Sequence, residues 1–233
     1  MRKRILLQAA LLIATMLLAT VCMAKAPAAA AANASAVPAG IAPAAATPVE
    51  GTDYFLIANP DRPSGRMVQI TEVFGYGCIH CAHFQPYLAA WAKRMPAGVQ
   101  LNYLPGPFGG LPDQFTRAFY AAQALGVQEK SHDAIFKAVF VDKRVATADD
   151  IPKLYADYGI DPKVFATTMQ SFAVGAKVAA ANDQAARWGI EGTPTMVIDG
   201  KYRVMETTAG GPTVFLRTVD WLIARQRPEH ARH

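Results

Sequence analysis

The stretch Phe74-Gly75-Tyr76-Gly77-Cys78-Ile79-His80-Cys81 governs how the rest of the chain is read. Before it, Met67-Val68-Gln69-Ile70-Thr71-Glu72-Val73-Phe74 is rich in β-branched and apolar residues and reads as a strand. After it, Phe84, Tyr87, Leu88, Trp91 and Met95 recur at helical spacing, which predicts an amphipathic helix from Ala82 to Arg94. Gly75 and Gly77 supply the turn between the two. Cys78 is therefore expected where free backbone N–H groups and the positive end of a helix dipole converge. A sulfur held there is stabilised as thiolate, the form that attacks or leaves in disulfide exchange.

The flanking chain says where such chemistry would take place. Met1-Arg2-Lys3-Arg4 is basic, Ile5 to Val21 is apolar, and small residues follow around Ala24, the pattern of a secretory signal peptide over residues 1–24. A retained membrane anchor is the alternative reading of the same run. Its removal takes Arg2, Lys3 and Arg4 and no acidic residue, so the net charge falls from +5 to +2. Nucleic-acid binding then has no electrostatic support. Cys22 goes too, leaving Cys78 and Cys81. A bridge between residues three apart closes too short a loop to stabilise a fold, so the pair reads as chemistry.

Residues 25–49 are Ala- and Pro-rich and nearly uncharged, and are expected to form a disordered tether. The folded part is expected over 50–228, with a tail at 229–233 and fraying from Arg225. Tyr54-Phe55-Leu56-Ile57 and Val99 to Leu104 read as further strands, the second joined to Met67–Phe74 by a right-handed parallel crossover. Five helical segments follow, placed as a helical insertion at about 112–180. Phe115 and Phe119 mark the first and Ile135 and Phe136 the second. Asp149 and Asp150 open the third, Asp161-Pro162 the fourth, and the fifth begins near Val174. Phe165, Met169 and Phe172 are expected in its core, with Val164. Thr195 to Met205 is a hairpin around Asp199-Gly200, and Pro212 to Ala224 a closing helix.

This order resembles the thioredoxin fold with an inserted all-helical subdomain, an α/β architecture, and specifically the DsbA-like periplasmic thiol:disulfide oxidoreductases. The resemblance covers about residues 50–225. It rests on Cys78-Ile79-His80-Cys81, on Glu72 six positions before the first cysteine, on Gly192-Thr193-Pro194, and on the helical block between. It implies that Cys78 exchanges with clients while a shielded Cys81 resolves or reforms the bond. It implies that His80 donates to the Cys78 thiolate. It also implies a cis bond before Pro194 that presents the Thr193 backbone to an extended client, and a Pro86 kink in the active-site helix. Glu72, in an otherwise apolar strand, is read either as a buried proton relay near Cys81 or as an ordinary ion pair. Ile79, Phe108 and Met205 are assigned to one apolar groove for unfolded clients.

The function implied is oxidation of newly exported proteins with free cysteines, by a monomer whose redox group is the Cys78–Cys81 disulfide, with no added cofactor and no metal. A DsbB-like membrane quinone oxidoreductase would reoxidise it. The pair here is Ile79-His80 where Pro-His is common in the family, and Thr193 stands where Val is usual. Thr at that place also occurs in isomerases and reductases, which keeps a disulfide isomerase or reductase open as an alternative. A metal-binding thiol protein using Cys78, Cys81, His80 and His83 is the other.

Overall fold

A computed structural model describes residues 46–61, 65–106, 111–206 and 210–230. The proposed signal peptide, nearly all of the Ala/Pro-rich segment and Phe108 lie outside the described residues. Five strands form one sheet: β1 (Phe55–Leu56), β2 (Val68–Phe74), β3 (Val99–Pro105), β4 (Thr195–Ile198) and β5 (Tyr202–Met205), in the order β1-β5-β4-β2-β3. Only β2 and β3 run parallel, with Val68 opposite Val99 and Phe74 opposite Pro105. The antiparallel partners of β2 and β4 put Glu72 opposite Met196 and Val73 opposite Thr195. The β4–β5 hairpin turns at Asp199 (φ 52°) and Gly200 (φ 59°), the two left-handed positions that an Asp-Gly pair favours. A Cβ at Gly200 would collide with the Asp61 side chain.

The crossover between β2 and β3 is α1 (Ile79–Ala92). It starts three residues before the expected Ala82, because Cys78 itself is the cap. Its burial is not one stripe. Phe84, Leu88 and Trp91 pack with Phe215, Leu216 and Val219 of α7 (Gly211–His230), whereas Cys81 joins the core of the helical subdomain. Gln85 is buried and Tyr87, expected inward, is 48% exposed. A helix covered on two sides hides residues that a single apolar face would leave in water. Pro86 lies within the unbroken helix.

Helices α2 (Leu111–Ala124), α3 (Gln128–Phe140), α4 (Ile151–Leu154), α5 (Pro162–Met169) and α6 (Phe172–Arg187) fill the chain between β3 and β4. The expected boundary near 180 falls inside α6. The core of this block holds Phe115, Phe119, Ile135, Phe136, Phe165 and Met169, and extends to Phe74, Tyr76 and Cys81. Two expected members lie outside it: Val164 is 51% and Phe172 92% exposed. Ser171 caps a new helix at Val174 N–H, so Phe172 starts α6 and does not continue the inward row of α5. The chain end also departs from expectation. Helix α7 runs through Arg225 to His230, and Gln226 is buried with its Nε2 donating to the Tyr202 hydroxyl at 3.4 Å.

Candidate active site

Cys78 has extended backbone angles (φ −92°, ψ 113°) and stands as the N-cap of α1. Its Sγ accepts from the Cys81 amide at 3.2 Å and lies 3.5 Å from the Thr193 carbonyl oxygen, to which its thiol donates. The Thr193–Pro194 bond is cis. Both cysteines are free thiols in this structure. The Cys78 thiol is pulled down to about 6. The leading cause is a hydrogen bond from the Cys81 thiol; burial opposes it, and the Thr193 side chain and the Cys81 and His80 amides add to it. Cys81 is fully buried, and burial, then its bond to Cys78, pushes it far above the ordinary thiol range. The two sulfurs thus differ in the sense disulfide exchange needs, Cys78 being the far more acidic thiol of the two.

His80 is exposed, and its contribution to Cys78 comes from the backbone rather than the imidazole. The ring lines a groove of about 420 Å³ with Thr193, Pro194, Thr195 and Met205. Ile79 is not in that groove. It lies in a second one, between α1 and α3, with Pro86, Phe136 and Phe140, so the single groove expected from Ile79 and Met205 is two. His83 lines the second groove. Among the described residues no three His, Cys, Asp or Glu side chains gather as metal ligands.

Glu72 is wholly buried on β2. Gln85 Nε2 donates to both of its carboxylate oxygens, at 3.0 and 3.1 Å, so its partner is a neutral amide and not the cation of an ordinary ion pair. Burial raises its pKa to about 8; Gln85 moderates the rise, and the nearby Cys78 and Asp133 charges add to it. Glu72 is therefore protonated at neutral pH. Sequence reading missed Gln85. The signal was present as a polar residue four positions after Cys81, on the inward side of α1.

Comparison with known proteins places this geometry. Residues 112–213 match the DSBA-like thioredoxin domain. The thiol:disulfide interchange protein DsbA of Pseudomonas aeruginosa is 34% identical over 180 residues, covering 76% of this chain and 85% of that protein. DsbA of Azotobacter vinelandii is 38% identical over 161 residues, covering 69% and 75%. The crystal structure of the oxidoreductase DsbA from Xylella fastidiosa superposes with a TM-score of 0.73 at 35% identity, over 78% of this chain and all of that one. With a thioredoxin-like sheet, a helical insertion and relatives of this identity along most of its length, the chain belongs to the DsbA family and is a thiol:disulfide oxidoreductase.

Proposed function

We infer that the protein oxidises exported polypeptides through a mixed disulfide at Cys78. The observation that carries the reading is the placement of Cys78 Sγ at the start of α1, 3.5 Å from the Thr193 carbonyl, with its thiol drawn down to about 6. In the oxidised enzyme a client thiolate attacks Cys78 Sγ. The Cys78–Cys81 bond breaks, and Cys81 departs with the electron pair and takes up a proton. Glu72, neutral up to about pH 8 and sensitive to the Cys78 charge, is the group we assign to supply it. A second client thiolate then attacks the client sulfur of the mixed disulfide, and Cys78 leaves as a stabilised thiolate. The client has lost two electrons and the enzyme has gained them.

The groove beside Thr193 and Pro194 suits an extended client segment paired to the Thr193 backbone, with Met205 offering an apolar wall. Ile79 meets clients from the other side of the sulfur. His80 borders the client groove. The redox group is the disulfide itself. We assign the enzyme to the periplasm as a monomer, delivered by residues 1–24 and reoxidised by a DsbB-like quinone-linked membrane protein. No helix among the described residues is long and apolar enough to cross a membrane.

Equilibration with glutathione tests the reading. The dithiol form should predominate in a buffer that would leave a thioredoxin-like couple, at about −270 mV, fully oxidised. Cys81→Ala, offered a peptide whose cysteine is already held in a disulfide, should trap a mixed disulfide at Cys78 as the peptide's other sulfur leaves as a thiolate. A potential at or below that of glutathione would reject the oxidase and favour the reductase.

A further inference from the structure

Tyr76 is the one side chain between the two glycines of the turn that presents Cys78. The turn closes on itself through the Cys78 amide and the Gly75 carbonyl at 2.9 Å. Glycines on both sides leave its backbone free to take other conformations, so its position must be held by something else. Tyr76 is 1% exposed, and its ring meets Phe74, Phe115 and Phe136 edge-on. Its hydroxyl lies 3.0 Å from Nδ1 of His132, on α3 and 56 residues away.

His132 is itself 4% exposed, enclosed by Phe74, Tyr103, Phe119 and Phe136. Burial keeps this imidazole neutral, down to about 4, and raises the Tyr76 phenol well above its ordinary range. With both groups neutral the phenol can donate to Nδ1, in the tautomer that carries the ring proton on Nε2. That atom is buried with no hydrogen-bond partner among the described residues. An apolar ring would fill the same space without that desolvation cost. Among the described residues, the one side-chain hydrogen bond the histidine makes is the one to the turn.

We propose that Tyr76 and His132 form a positioning pair that pins the Gly75–Cys78 turn to α3 and so keeps Cys78 Sγ in register with Thr193. The pair rests on the reading of Cys78 as the exchanging sulfur but acts only through it. Of the four influences that favour the thiolate, three come from α1 and one from the loop at Thr193 on the opposite side. The α1 donors move with Cys78, whereas the Thr193 contact survives only if the turn stays where it is. Other ionisable groups around the pair are Glu72 and Tyr103 from the sheet, Asp133 from α3 and Tyr155.

The test is the thiolate titration of Cys78, followed by ultraviolet absorbance in the reduced full-length protein, with thermal melting alongside. Tyr76→Phe removes the hydroxyl and leaves the ring; His132→Phe removes the acceptor; His132→Gln restores an acceptor. The first two should each raise the Cys78 midpoint by about half a pH unit, roughly a three-fold drop in the ratio of thiolate to thiol. The double variant should add nothing further, and His132→Gln should recover most of the shift. The same variants should make the disulfide a weaker oxidant towards glutathione. Unchanged titrations with lowered melting temperatures would overturn the proposal and leave the pair as packing alone. Additive shifts in the double variant would overturn it as well. A native protein whose Cys78 titrates as an ordinary thiol would instead reject the functional reading, which the variants cannot do.

Discussion

Cys78 and Cys81 sit three residues apart, and burial acts on both in the same direction, yet their acidities diverge. The difference lies in donors. Cys78 collects a thiol, a threonine side chain and two amides, which together outweigh its partial burial; Cys81 is fully enclosed and spends its own proton on Cys78. The consequence can be measured as a potential. Because the folded thiol is the stronger acid, it favours the reduced form fully above the unperturbed range near 9, less as the pH falls, and not at all below about 6. Reduction should therefore take up two protons below pH 6 and one above it. The potential of the pair should fall by about 59 mV per pH unit below the break and by about 30 mV above it. Electrochemical titration over this range checks it, and a single slope throughout would deny Cys78 its low pKa.

Among the elements, the joint between α5 and α6 shows how similar residues acquire opposite weights. Asp161 caps α5 by accepting from the Lys163 and Val164 amides at 2.8 and 3.2 Å, and Pro162 occupies the first turn. Phe165 is then fully buried and stacks on Tyr155 with ring centres 3.7 Å apart. Seven residues on, Phe172 faces solvent because Ser171 has restarted the helix. Phe165→Ala should cost about 3–5 kcal/mol, since it leaves a cavity in a packed core. Phe172→Ser should stay within about 0.5 kcal/mol of the parent. Urea unfolding of the two variants distinguishes them directly.

For the molecule as a whole, two buried ionisable groups set opposing dependences of stability on pH. Glu72 binds its proton more tightly folded than unfolded, so between pH 4.5 and about 8 the native state holds a proton that the unfolded chain has lost. Stability contributed by Glu72 is complete below 4.5 and is lost as the pH climbs to 8. His132 works the other way: the unfolded chain takes up a proton below 6.5 that the native state refuses until about 4, so its contribution is lost on acidification across that interval. The two trends offset one another between 4.5 and 6.5. In the reduced protein the lowered Cys78 thiol adds stability as the pH rises from about 6 to 9 and opposes Glu72, so the Glu72 slope stands alone above 6.5 only in the oxidised protein, where Cys78 carries no titrating thiol. The oxidised protein should lose stability from pH 6.5 to 8. Glu72→Gln should abolish that decline and raise stability at pH 8 by on the order of 2–5 kcal/mol, read from denaturant midpoints across the pH series.

What the sequence determined by itself were the features whose causes lie within a few residues. The Cys-x-x-Cys at a strand-to-helix turn, the Asp199-Gly200 hairpin and the Asp161-Pro162 helix start are all local chemistry, and each stands in the structure where it was expected; the cis bond at Thr193-Pro194 was expected from the family resemblance. Only the tertiary structure decided what depends on which distant element arrives to cover a residue. It made Glu72 a neutral acid against Gln85 and separated Ile79 from Met205 into different grooves. It also turned Phe172 outward and joined Tyr76 to His132 across 56 positions. Periodicity along a chain reports that a face is apolar, but burial and electrostatic environment are set by the surface that packs against it, which no local pattern encodes.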